Sequence, residues 1–110
     1  MNMASADSRR NWSVNLEERP AALEISLLKR TYVLPWNQFL YAEGGNDEVR
    51  AVFAMHDVVI RGSGLDELLA DIATQRIAVI HEPSRTDRFS STGSRFIREI
   101  MVQKNEAGQG

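Results

Sequence analysis

The feature that most constrains this chain is one stretch of helical periodicity, because most of its other apolar residues alternate as they do in β-strands. Between Ser63 and Gln75, apolar side chains recur at positions i, i+3, i+4 and i+7, the spacing of one face of an amphipathic helix. So short a helix gains most of its stability by burying that face. The sequence therefore predicts a helix packed on a sheet through Leu65, Leu68, Leu69 and Ile72.

The ends of the predicted helix carry their own signals. Ser63 can cap the free amides of the first turn, with Asp66 three residues further on. Asp66 and Glu67 suit the positive end of the helix dipole, and Arg76 suits the negative end. These signals place the helix at about residues 63–75.

Short alternating or β-branched runs make up the rest of the ordered sequence. The segment Gly44-Gly45-Asn46-Asp47 between two such runs is typical of a hairpin turn. We expect an α+β fold with one mostly antiparallel sheet of about five to seven short strands, and leave open whether this sheet closes into a partial barrel. The predicted strands cover about residues 22–27, 31–34, 38–43, 48–55, 58–60, 77–80 and 95–102.

The chain of 110 residues has the size of one domain, which we place at residues 16–104. Residues 1–15 are polar and are predicted to form a flexible N-terminal arm, except that Trp12 should fold back or dock on a neighbouring subunit. Residues 105–110 are predicted to form a flexible tail, and residues 84–94 a mobile loop.

The composition excludes several classes of protein. There is no cysteine, so a disulfide framework, a thiolate metal site and a cysteine nucleophile are absent, and a reducing cytoplasmic location is the simplest expectation. No apolar run approaches the roughly 20 residues that cross a bilayer. The polar N-terminus also lacks the apolar centre of a secretion signal.

No set of residues predicts catalysis. The two histidines, His56 and His81, have no metal-site spacing, and we expect neither a metal nor another cofactor. His56-Asp57 could form an acid–base pair, but both residues are common in turns. Ser63 stands between two glycines where a strand meets a helix, yet the glycine spacing is not that of a nucleophile elbow. We therefore expect no enzyme activity.

A ligand site is one alternative. Gly62, Ser63 and Gly64 would present free amides at a helix start, with Arg61 beside them, and such amides bind phosphate or carboxylate groups. A pocket that also included His56 would make the protein a small-ligand or anion-binding domain.

Nucleic-acid binding is a second alternative. Residues 85–98 contain four arginines, interleaved with Phe89 and Phe96, and clustered bases with aromatic platforms suit RNA or single-stranded DNA. The net charge of −2 argues against this alternative, as does the pI of about 5.7.

Self-association is the leading hypothesis. Trp36, Phe39 and Tyr41 lie close together around a proline, where aromatic side chains could stand at the rim of the sheet. A short sheet has exposed edges, and pairing of subunits is a common way to cover one. The sequence thus favours a non-enzymatic binding or scaffold module that forms a homodimer, with Trp36, Phe39, Tyr41 and Trp12 at the interface.

Overall fold

A computed structural model describes residues 6–8, 11–84 and 96–105. In these residues the chain forms one α-helix and nine strands, which lie in a five-stranded and a four-stranded sheet. A short 3-10 turn, Trp36–Gln38, separates β4 from β5. The elements are β1 (Ala6–Ser8), β2 (Trp12–Asn15), β3 (Ala22–Ser26), β4 (Thr31–Pro35), β5 (Phe39–Gly44), β6 (Glu48–Phe53), β7 (His56–Ser63), α1 (Asp66–Thr74), β8 (Ile77–His81) and β9 (Phe96–Lys104).

The five-stranded sheet has the order β1-β2-β8-β3-β4. Its strands are antiparallel except for β3 and β8, which run parallel to each other. Leu23 and Ile25 of β3 are buried and Glu24 between them is exposed, which is the alternation that the sequence predicts. The long connection from β3 to β8, which contains the whole α-helix, allows the parallel pairing.

The four-stranded sheet has the order β5-β6-β7-β9 and is antiparallel throughout. The predicted hairpin is confirmed: Gly45 donates its amide hydrogen to the carbonyl of Glu48 at 2.8 Å, and the chain reverses between β5 and β6. Strands β5 and β9 form the two edges of this sheet.

The two sheets cross each other around one core. Near the start of β9, the amide of Ile97 donates to Asn11 Oδ1 at 3.1 Å, next to β2. Near its end, Lys104 is the register partner of His56, whose ring lies 5.7 Å from that of Tyr32 in β4. Strand β9 therefore runs across the strand ends of the other sheet, from β2 to β4. The core includes Trp12, Leu23, Ile25, Phe53, Ile60, Leu68, Ile72 and Ile80.

Helix α1 packs against β5, β6 and β8, so it closes the core where both sheets contribute. Leu68 and Ile72 are buried, Leu65 is buried just before the helix, and Leu69 is half-buried. The predicted apolar face is confirmed. Within the described chain, no helix is long and apolar enough to cross a bilayer.

Two expectations need correction, and a third is not tested. The α+β class is confirmed, but the described strands outnumber the five to seven predicted, and they form two sheets, not a closed barrel. Residues 12–15, which we placed in a flexible arm, form β2 and pair with β8, because Trp12 and Val14 alternate into the core. Most of the predicted 84–94 loop and of the 105–110 tail lies outside the described residues.

Candidate functional site

The residues of the predicted ligand site do not meet at one place. Residues 61–63 form the end of β7 and Gly64 follows it, whereas His56 begins the same strand. Because a strand rises about 3.3 Å per residue, His56 and Arg61 are about 17 Å apart along β7. Their positions also differ by five, an odd number, so their side chains leave opposite faces of the sheet.

Arg61 is engaged by carboxylates of the neighbouring strands. Its Nε donates to Glu48 Oε1 at 3.1 Å, and its Nη1 lies 3.6 Å from Glu99 Oε2. These three residues share one row across β6, β7 and β9 on the outer face of the sheet. An incoming anion would have to compete with two carboxylates for this guanidinium.

Two backbone amides of this corner, those of Gly62 and Leu65, are also hydrogen-bonded. Gly62 donates to the carbonyl of Asp47 at 3.1 Å, and Leu65 donates to the carbonyl of Asn46 at 2.8 Å. These bonds connect the segment just before the helix to the turn between β5 and β6. The glycine–serine corner thus connects two elements of the fold.

The structure places Ser63 in β7, opposite Phe96, and not at the helix cap that we predicted. The helix begins three residues later, at Asp66, with Leu65 in the cap position and no side-chain cap bond. Leu65 is buried and its amide is bonded to the carbonyl of Asn46, so the chain leaves the sheet and is held to the β5–β6 turn before the helix begins.

His56 and Asp57 also separate, because adjacent strand residues face opposite sides. His56 packs edge-to-face against Tyr32, while Asp57 is buried and accepts hydrogen bonds from Arg50 and from Asn105 Nδ2, the latter at 2.8 Å. The hydrogen bond with Asp57, and then its negative charge, raise the pKa of the Arg50 guanidinium above its ordinary value. This buried carboxylate ties β6 and β7 to the end of β9.

Two of the four residues predicted at an interface are covered within the chain. Trp12 is 1% exposed and donates from Nε1 to Asp71 Oδ2 at 2.9 Å. Trp36 is 6% exposed and donates from Nε1 to the carbonyl of Ile77 at 3.1 Å, since the 3-10 turn directs its indole inward. Phe39 is half-buried against Trp36, and Tyr41 is exposed.

The exposed apolar residues of this region lie on the edge strand β5. Leu40 is 61% exposed and Tyr41 is 47% exposed. The register shifts between Phe39 and Tyr41, so Leu40 is the extra residue of a β-bulge. Sequence reasoning missed Leu40, because a regular alternation gives no sign of a bulge.

Strand β5 also presents backbone groups at the edge that no strand in the described ranges pairs. Gly45 and Glu48 are hydrogen-bonded, and hydrogen-bonded pairs alternate along an antiparallel ladder. Ala42 and Gly44 therefore direct their N–H and C=O groups away from β6. Beside them, an apolar groove of about 260 Å³ separates β5 from the helix and is lined by Phe39, Ala42, Leu69, Ile72 and Ala73.

The predicted nucleic-acid segment falls largely outside the described residues, which resume at Phe96. Arg98 lies with its guanidinium 5.6 Å from the centre of the Phe96 ring. No group of three His, Asp or Glu side chains in the described part of the chain could hold a metal ion.

Comparison with known proteins gives no match: no protein-family model, no curated protein and no solved structure is similar to this chain.

Proposed function

We propose that this protein is a non-enzymatic, self-associating binding module whose two copies pair through strand β5. The observation that carries the proposal is the β5 edge, which no described strand pairs, with Leu40 and Tyr41 exposed beside backbone groups that point away from β6. An open strand edge is a template for pairing with another strand. A symmetric dimer covers such an edge with the same edge of a second copy.

The side chains of β5 do little to prevent this pairing. Natural edges are protected by lysine, proline, inward-pointing charges or β-bulges; the segment Phe39–Gly44 has none of the first three, and its bulge at Leu40 leaves the pairing from Tyr41 to Gly44 regular. Its one charged residue is Glu43, whose carboxylate lies 3.6 Å from Arg50 Nη1 on the neighbouring strand. The edge can therefore be covered without burying an unpaired charge.

The outward backbone groups suggest one register. If Ala42 pairs with the partner's Ala42, the two residues exchange both hydrogen bonds across the symmetry axis. Tyr41 then stands opposite the partner's Glu43, where a phenol hydroxyl can donate to a carboxylate. The alternative register, centred on Glu43, would place two carboxylates directly opposite each other. The Ala42-centred pair avoids that repulsion and joins the two four-stranded sheets into one.

Substitution of Leu40 by lysine tests the proposal. Leu40→Lys adds a charge to the β5 edge, and we expect the dimer to dissociate at protein concentrations where the unchanged protein sediments as a dimer. The control is Val33→Lys on β4, because Val33 is 63% exposed and also lies on an edge strand. Both changes are at the surface and should alter the free energy of unfolding by no more than about 0.5 kcal/mol.

Cross-linking tests the register. The chain has no cysteine, so Ala42→Cys introduces the only thiol. Hydrogen-bonded antiparallel partners have Cα atoms about 5.5 Å apart, within the range of a disulfide. Mild oxidation should give a covalent dimer with this variant and not with Val33→Cys. An unchanged protein that sediments only as a monomer at micromolar concentration would overturn the proposal.

A further inference from the structure

The turn between β3 and β4 forms a second surface, which we call the basic tip and define by Leu27, Leu28, Lys29, Arg30 and Glu82. These residues line a groove of about 360 Å³. The amide of Leu27 donates to the carbonyl of Arg30 at 2.9 Å, and the amide of Leu28 donates to Glu82 Oε1 at 2.9 Å. The groove is therefore held in shape by hydrogen bonds from two sides.

The two cations of the basic tip differ from the arginines of the four-stranded sheet. Arg50 and Arg61 each lie within ion-pair distance of two carboxylates. Lys29 and Arg30 are exposed, and within the described ranges no carboxylate lies within ion-pair distance of either. Their charges are thus available to a partner.

Neighbouring residues hold Arg30, and Lys104 adds a positive charge to this region. Arg30 Nη1 donates to the Tyr32 hydroxyl at 3.4 Å, and its guanidinium lies 6.0 Å from the centre of that ring. The ring of Tyr32 also contacts His56, with 5.7 Å between the ring centres. Lys104 on β9 is the register partner of His56. Because Tyr32 already contacts Arg30 and His56, it offers no free aromatic platform for a nucleic-acid base.

Among the described residues, the two ends of β7 differ in the charge that surrounds them. The basic tip adjoins the start of β7, whereas Glu43, Asp47 and Glu48 surround the hairpin turn at its other end, about 23 Å away at 3.3 Å per residue. An acidic partner would be repelled at the hairpin end and attracted to the tip. A charge asymmetry of this kind orients the approach of a partner.

We propose that the basic tip binds an acidic peptide segment that carries an apolar side chain. Leu28 is 55% exposed next to the two cations, and the groove wall formed with Leu27 would cover an apolar side chain of the peptide. Lys29 and Arg30 would pair with carboxylates on either side of it. The groove volume of about 360 Å³ is at the lower end of the range of roughly 300–1,000 Å³ for ligand pockets, so it has room for one or two side chains of a peptide.

Fluorescence anisotropy tests this inference with the full chain and a fluorescein-labelled Glu-Glu-Leu-Glu-Glu peptide. We expect saturable binding that weakens as salt is raised. The double variant Lys29→Gln/Arg30→Gln should lower the affinity about tenfold, because it removes two exposed ion pairs with the peptide. Peptides with glutamine in place of glutamate, or with serine in place of leucine, should each bind more weakly.

The matched control is Arg19→Gln/Arg98→Gln, which removes the same charge from two other exposed positions, neither of them in the basic tip. Equal loss of affinity in both double variants would show a general charge effect and overturn the proposal. The absence of saturable peptide binding would also overturn it. The proposal would equally be wrong if the tip variant lost binding to labelled oligothymidine or to anionic vesicles while its binding to the peptide was unchanged. None of these results depends on whether the β5 dimer forms.

Discussion

Gly62 lies where β7 changes its register with β9: Arg61 is opposite Glu99, but Gly62 is opposite Ile97. A Cβ atom at Gly62 would overlap the carbonyl oxygen of Phe96 and come within 2.9 Å of the Cα atom of Ile97. Both obstacles are backbone atoms of the paired strand, which cannot rotate away. Glycine at this position therefore allows β7 and β9 to approach each other.

The first prediction concerns this contact. Gly62→Ala should lower the free energy of unfolding by about 1–3 kcal/mol, because the added methyl group forces the two strands apart. Urea unfolding followed by circular dichroism measures the change.

The control for this prediction is Gly45→Ala. A Cβ atom at Gly45 would meet nothing within 4 Å, so the same substitution should change stability by no more than about 0.5 kcal/mol. If the two variants were equally stable, close approach of the backbones would not be the reason for glycine at position 62.

At the scale of elements, periodicity predicted the buried faces better than the ends. The i, i+3, i+4, i+7 pattern identified the apolar face of α1, but the start of the helix depends on hydrogen bonds from Leu65 and Gly62 to the distant β5–β6 turn. No local pattern reports such bonds. Likewise, the sequence shows that Arg98 interrupts the alternation of the last strand, and the structure explains it: Arg98 is the extra residue of the bulge opposite Arg61 and Gly62.

The candidate site was less predictable than the fold. The grouping of Arg61, Gly62, Ser63 and Gly64 with His56 rested on their closeness in the sequence. Strand geometry separates them, because an extended chain carries residues apart by about 3.3 Å each and alternates their faces. The exposed Leu40 and the basic tip depend on which strands become edges, and long-range pairing decides that.

The second prediction concerns the end of β9. Asn105 Nδ2 donates to Asp57 Oδ1 at 2.8 Å and to the carbonyl of Phe53 at 3.2 Å. Asn105→Ala should therefore destabilise the protein by about 1–3 kcal/mol, because the buried carboxylate loses a donor. Hydrogen exchange at the C-terminal end of β9 should become faster.

Gln103→Ala is the control, since Gln103 is exposed on the same strand. It should leave both stability and exchange nearly unchanged. Equal effects of the two substitutions would mean that strand propensity, and not the bond to Asp57, explains the loss.

At the scale of the whole molecule, the two sheets share one core, and strands distant in sequence complete it. Strand β2 pairs with β8, more than sixty residues later, and its Trp12 reaches Asp71 on the helix. The sequence alone suggested an arm here because only two apolar residues of β2 face inward and the flanking residues are polar. The pairing partner that makes them a strand lies too far along the chain for local patterns to reveal.

The last prediction distinguishes a strand from an arm with two adjacent substitutions. Val14 is buried on the inner face of β2, whereas Ser13 points to the other face and is only partly covered. Val14→Asp should cost several kcal/mol, because a carboxylate would enter the core without a partner. Since a domain of this size is stable by about 5–15 kcal/mol in total, the variant should be largely unfolded or melt far below the unchanged protein. Ser13→Asp should melt close to the unchanged protein. Thermal unfolding followed by the fluorescence of the buried tryptophans measures the melting temperature of both variants. If both substitutions lowered it by the same small amount, residues 12–15 would be an arm and the shared core would end at β8.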